Sequence, residues 1–164
     1  MTYAKTVLSL LHPDHPDNSI SFVVYGTPVP EGSLTSYGKR LVHNNEKELM
    51  SWRQDVAVAA QKAKPSNWDI HAPVALHCEF ITQRPKSHYG TGSNSDRVKD
   101  SSPRHVITRP DVDKLTRAIG DAISVKTQIL LHDDSQIVSI HSHKRYAEAG
   151  EPSCAFISVI PLTA

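Results

Sequence analysis

What this 164-residue sequence lacks narrows its reading before any motif is considered. It lacks an excess of either charge: 18 Lys and Arg stand against 17 Asp and Glu, a formal +1. No global basic field advertises a nucleic-acid partner, so any such surface must be local. A disulfide framework is missing as well. The cysteines are Cys78 and Cys154, both in alternating apolar runs with nothing that marks secretion, and buried, reduced thiols are expected. There is no long hydrophobic run. Val7 to Leu11 is too short and too poorly flanked for a signal peptide or a membrane span, so a soluble, intracellular protein without a membrane partner is expected. Neither an internal repeat nor a linker is visible. The length suits one domain, expected over residues 20–164. Ahead of it, residues 1–19 carry His12-Pro13-Asp14-His15-Pro16-Asp17-Asn18. The prolines forbid a long helix there, and a flexible, solvated arm is expected rather than a His/Asp metal site.

What is present is concentrated between Arg109 and Gln136. Arg109-Pro110-Asp111-Val112-Asp113-Lys114-Leu115 opens the stretch and His132-Asp133-Asp134-Ser135-Gln136 closes it. Between them Leu115, Ala118, Ile119, Ala122 and Ile123 recur at three- and four-residue steps, which places them on one face of a helix. Pro110 favours an extended Arg109 and suits the first helical turn. Asp111 and Asp113 thus sit where an extended segment becomes a helix. If the chain is still extended there, side chains two apart point the same way and both carboxylates face one spot. Like charges that close raise each other's pKa, and a hard divalent cation such as Mg²⁺ or Mn²⁺ relieves the repulsion. The competing explanation is N-capping and compensation of the helix dipole. A fold that returned the Asp133-Asp134 turn to the helix start would add a third carboxylate.

These residues carry a resemblance. Pro110-Asp111-x-Asp113, Arg117 four residues on, Asp121-Ala122 and Asp133-Asp134-Ser135-Gln136 resemble, in order, spacing and type, the core of the RusA family of Holliday junction resolvases, common in phages and prophages. Tyr25-Gly26-Thr27-Pro28-Val29-Pro30 resembles that family's first strand and loop, so the resemblance covers most of the chain from about Ser21 onward. Lys114 stands where the family often has Asn, and Arg117 where its best-known members have a functional Lys.

The resemblance implies a Mg²⁺-dependent endodeoxyribonuclease, with Mn²⁺ as substitute and no small-molecule cofactor, acting as a homodimer on branched DNA in the cytoplasm of a bacterial or phage-infected cell. Asp111, Asp113 and Asp134 would bind metal, with Asp133 as a further partner. Arg117 would lie one turn beyond Asp113. A guanidinium cannot donate a proton near neutral pH, so Arg117 would clamp the phosphate electrostatically. An Arg117–Asp121 helix pair is its structural alternative. Two other functions remain: cleavage of flaps or forks with the same chemistry, and junction binding without catalysis.

The rest of the chain supplies scaffold and cations. Ile20 to Tyr25 reads as a strand and residues 26–33 as a proline-punctuated loop. Lys39 and Arg40 belong to a basic turn before a short strand from Leu41 to His43. Asn45 to Lys62 reads as a helix, with an Asn45/Glu48 capping-box spacing and an apolar face of Leu49, Trp52, Val56, Ala59 and Ala60. Trp52 is expected in the core, not as a base-stacking platform. Pro73 to Thr82 alternates as a strand, with Val74, Leu76, Cys78 and Phe80 on one face. Residues 83–108 lack periodicity and carry Arg84, Lys86, Arg97, Lys99 and Arg104. They read as a flexible basic loop closing over a DNA backbone. Arg109, Lys114 and Lys144 complete the candidate DNA contacts. Ser135 to Tyr146 reads as a strand on which Ile137, Ser139, His141 and His143 alternate with Gln136, Val138, Ile140 and Ser142. His141 and His143 read as exposed or DNA-facing rather than as ligands. With Cys154 to Ile160 this strand is expected to form a hairpin. The fold class is α+β: a mixed, mostly antiparallel sheet of four or five strands packed against two main helices.

Overall fold

A computed structural model describes residues 18–32, 34–37, 40–43, 45–124 and 128–162. The N-terminal arm, apart from residues 18 and 19, lies outside the described residues, as do Lys39 and the side chain of Arg40. In chain order the elements are β1 (Ile20–Tyr25), β2 (Leu34–Tyr37), β3 (Arg40–His43), α1 (Glu46–Ala63), β4 (Val74–Thr82), α2 (Val112–Ile123), β5 (Ile137–Tyr146) and β6 (Cys154–Pro161). β2 and β3 form a separate antiparallel pair.

The main sheet has the order β1-β6-β4-β5. β6 pairs antiparallel with β1 and β4, and β4 pairs parallel with β5. The fold is therefore the expected α+β arrangement of a mixed, mostly antiparallel sheet with two main helices. The expected β5–β6 hairpin is corrected: β4 lies between the two strands. A parallel neighbour needs a long crossover, and the chain between β4 and β5 supplies one that includes α2. Once β5 is placed parallel to β4, the short link to β6 must pass over β4 to its far edge.

The period-2 pattern of the strands and the 3.6 pattern of the helices meet in one core. Val74, Leu76, Cys78 and Phe80 of β4 join Ile20, Phe22 and Val24 of β1 and Ala155, Ile157 and Val159 of β6. Leu49, Trp52, Val56 and Ala60 of α1 and Leu115, Ala118, Ile119, Ala122 and Ile123 of α2 cover them. Cys78 and Cys154 are free and buried. Burial pushes the Cys78 thiol up to about 12, so it packs as a small apolar group. No described helix is long and apolar enough to cross a membrane.

Two local expectations are also corrected. Asn45 stands at the N-cap of α1 but makes no side-chain cap bond; its Nδ2 donates to the Pro30 carbonyl at 3.0 Å. The side chain ties the 26–32 loop to α1 instead of closing the helix. On β5 the simple alternation breaks, because the register shifts between Val74↔Ile137 and Ala75↔Ser139. Val138 is the extra residue of a β-bulge. Ile137 thereby joins Ile140 and Ser142 beneath α2 instead of sharing a face with His141 and His143.

Candidate active site

α2 begins at Val112, so Asp113 is already helical and Asp111 occupies the N-cap with φ −72° and ψ 140°. The alternation that would aim both carboxylates at one spot stops between them. Asp111 makes no side-chain cap bond. It lines a cavity of about 320 Å³ with Glu31, Asn45, Arg109 and Lys114. Lys114 Nζ lies 3.5 Å from its carboxylate, with both side chains about half exposed, so the pair is worth a few tenths of a kcal/mol. Asp113 lines a separate cavity of about 460 Å³ with Thr116, Arg117, Asp121 and Asp134. The floor of that cavity is Leu76, Gly120, Ile137 and Ile140. Asp113 and Asp134 are thus brought together with Arg117, while Asp111 stands on the adjoining cavity.

Asp134 reaches the cavity because the chain before β5 is fastened at several points. A 3₁₀ turn, Asp134–Gln136, is closed by a capping box: Asp133 Oδ1 accepts from the Ser135 N–H at 2.9 Å, and Gln136 Oε1 accepts from the Asp133 N–H at 2.9 Å. Gln136 Nε2 then donates to the carbonyls of Ile70 and Ala72, both at 2.9 Å. Trp68 Nε1 donates to Leu130 O at 2.7 Å and the His132 N–H to Ile70 O at 2.9 Å. The acidic pair therefore divides its work. Asp133 holds the turn, and the bonds donated by Ser135 keep its carboxyl below the usual range. Asp134 is left to face the cavity.

The direct ion pair of Asp121 is with Arg53 of α1, while Arg117, the partner in the alternative helix pair, acts on it without a salt bridge. Arg53 of α1 pairs with Asp121 and, at 2.5 Å, with Glu31 of the 26–32 loop. Asp121 is half-buried, and burial pushes its carboxyl above the usual value; Arg53 opposes the shift most strongly, and Arg117 opposes it through space. Glu31, whose own N–H donates to Lys114 O at 3.0 Å, is buried. The Glu31–Arg53–Asp121 network is absent from the sequence reading. A signal for it existed: Arg53 stands four residues from both Leu49 and Ala57, inside the buried stripe of α1, where an arginine requires a partner.

The cations are placed unequally. Residues 83–108 form a hydrogen-bonded lobe. Tyr89 and Val98 make a β-bridge, the Gly90 N–H donates to Arg97 O at 2.9 Å and the Lys99 N–H to His88 O at 2.9 Å. A Cβ on Gly90 would meet Asn94 O at 2.5 Å, so only glycine fits there. Arg84 lies 4.0 Å over the Tyr146 ring and donates to Pro103 O at 2.8 Å. Lys99 Nζ donates to Ser87 O at 2.9 Å. Lys86, Arg97, Arg104 and Arg109 are exposed. Lys144 donates to the carbonyls of Thr108 and Pro110. His141 and His143 occupy the other face of β5, where His143 Nε2 lies 3.0 Å from Glu79 Oε1.

Among the described residues, no group of three or more His, Cys, Asp or Glu is gathered as a metal site. Asp113 and Asp134 are nonetheless hard oxygen donors from different elements, and neither has an ion-pair partner among the described residues. Such a pair suits Mg²⁺, which commonly takes one or two carboxylates and completes its shell with water and substrate phosphate.

Residues 26–153 match the family of endodeoxyribonuclease RusA. A Bacillus subtilis (strain 168) protein, named uncharacterized protein YqaN, is 32% identical over 137 residues, which cover 79% of this chain and 89% of that protein. The match takes in the acidic helix, the capped turn and the basic lobe, and the chain belongs to the RusA endodeoxyribonuclease family.

Proposed function

We propose that the protein is a divalent-cation-dependent, structure-selective endonuclease that resolves four-way DNA junctions by paired symmetric nicks in recombination and repair. The observation that carries this reading is the joint lining of one cavity by Asp113, Asp134 and Arg117, with Asp111 on the cavity beside it. The acidic residues would hold Mg²⁺, or Mn²⁺ in its place. Such an ion supplies Lewis acidity toward a phosphate oxygen and a lowered pKa for water. Arg117 presents a permanent positive charge to the same cavity and offsets charge that develops on the phosphate. The Glu31–Arg53–Asp121 network, whose Asp121 lines this cavity, holds α1, the 26–32 loop and α2 together.

The exposed cations of the lobe, Lys86, Arg97 and Arg104, would contact the DNA backbone. Replacing these three with Ala is expected to weaken binding to all DNA alike. The salt dependence should flatten by about one unit of slope for each lost phosphate contact. Arg84→Ala should act differently, by loosening the lobe from Tyr146. A binding titration across salt concentrations checks both, and an unchanged slope in the triple variant would remove the lobe from the DNA interface.

A four-way junction has approximate two-fold symmetry, which a homodimer with a two-fold axis matches. β5 is an outer strand of the sheet, with Val138 62% exposed. Its open edge is our candidate contact. Light scattering should give about twice the chain mass, and a cruciform plasmid should yield linear product from one binding event.

The deciding assay is cleavage of synthetic four-way junctions, flaps and forks in Mg²⁺, with and without EDTA. Junction cleavage abolished by EDTA supports the proposal. Preferred cutting of flaps or forks by a monomer would assign the other branched substrates, and binding without cutting at any Mg²⁺ or Mn²⁺ concentration would reject catalysis.

A further inference from the structure

Lys144 lies in register with Phe80, which is fully buried, and follows Ile140 and Ser142 along the face of β5 beneath α2. The Lys144 side chain is part-exposed, and its stem runs past this core row. Its Nζ donates to the Thr108 carbonyl at 2.6 Å and to the Pro110 carbonyl at 2.7 Å. Both are charge-assisted bonds, stronger than neutral ones. The two carbonyls flank Arg109, and the second belongs to the residue immediately before Asp111. Val106, just upstream, is buried. Downstream, the Glu31 N–H donates to Lys114 O. The backbone that carries Asp111 and Asp113 is thus tied at both ends, from β5 on one side and from the 26–32 loop on the other.

We propose that Lys144 is a positioning residue: its ammonium staples the 108–110 backbone to the sheet and so fixes where Asp111 and the first turn of α2 present their carboxylates. This rests on the reading of that site as the catalytic centre. The competing role is a direct contact between Lys144 and a DNA phosphate. With two of its three N–H donors committed to carbonyls, the side chain supports the backbone that bears the acidic residues, and the two roles separate in measurement.

The test compares full-length Lys144→Met with the wild-type protein in three readouts: junction affinity across salt concentrations, the single-turnover cleavage rate at saturating protein, and amide hydrogen exchange. The expected result is unchanged affinity and salt slope, a rate lower by about 10- to 100-fold, as for loss of a group that orients metal ligands, and faster exchange confined to residues 109–114. A salt slope lower by about one unit, with exchange unchanged, overturns the proposal in favour of a phosphate contact. A wild-type rate in the variant also overturns it, while leaving the nuclease reading standing. Absence of cleavage by the wild-type protein on every branched DNA overturns both. Should the Met variant lose protection throughout the sheet, Lys144→Gln keeps an N–H donor at this position. It is expected to show the same local exchange and a smaller loss of rate, and wild-type values in both would overturn the assignment.

Discussion

Asp113→Asn is expected to abolish cleavage while junction binding survives, and Asp134→Asn and Asp111→Asn to do the same. The substitution keeps size and shape but removes the charge that would hold a divalent cation. An ion of that kind contributes several kcal/mol of transition-state stabilisation, so the loss should exceed about 100-fold. Binding should hold or tighten, because each variant puts less negative charge next to phosphate. The geometry adds a contrast inside the acidic pair. Asp133→Asn keeps the Oδ1 that accepts from Ser135, and should cleave far better than Asp134→Asn. Single-turnover rates and gel-shift affinities on one junction check all four. Wild-type cleavage by any of the first three would remove that residue from the site.

Arg53→Ala should cost about 2–4 kcal/mol of stability, since it leaves the Glu31 and Asp121 carboxylates without their shared cation. The upper end for buried pairs is not reached because these side chains are partly exposed. The deficit should depend on pH. Burial already pushes the Asp121 carboxyl above the usual value, and without Arg53 it rises further. The folded protein then holds this proton more tightly than the unfolded chain does. Protonation therefore favours the folded state, and stability falls as pH rises through that carboxyl's range. Urea denaturation at pH 7 and near pH 5 should show the gap between variant and wild type shrinking at the lower pH. A gap that is constant, or wider in acid, would show that Asp121 is not the group Arg53 compensates.

How far the sequence disclosed this molecule depends on whether each decision is local. α2 was legible because its apolar positions repeat at three and four residues, and all five expected positions are buried. β1 was legible to the residue, as an uninterrupted β-branched and aromatic run. Strand partners were not, because period-2 alternation marks a buried face and says nothing of which neighbour supplies the hydrogen bonds. The hairpin expectation followed chain proximity, while β4 wins the place beside β5 through a crossover that no local pattern encodes. The Val138 bulge is invisible for the same reason: it appears only when β5 is laid against β4. At the site, the sequence pointed to Asp113, Asp134 and Arg117, which share a cavity, but not to the start of the helix between Asp111 and Asp113, which places Asp111 on another cavity. Arg53 was missed because its partners lie on two distant segments.

The strand order also sets when this protein can exist as a folded object. β6 follows every other described element in the chain, yet it occupies the inside of the sheet and is the partner of both β1 and β4. Ile20 waits for Val159, almost the whole length of the described chain. Loop closure over such a span is slow relative to local pairing. During synthesis, the acidic helix and its capped turn leave the ribosome before the strand that joins the two halves of their platform. A chain halted before Cys154 would carry all the acidic residues on an unclosed sheet. The platform beneath the acidic residues is thus complete only once β6 has joined β1 to β4.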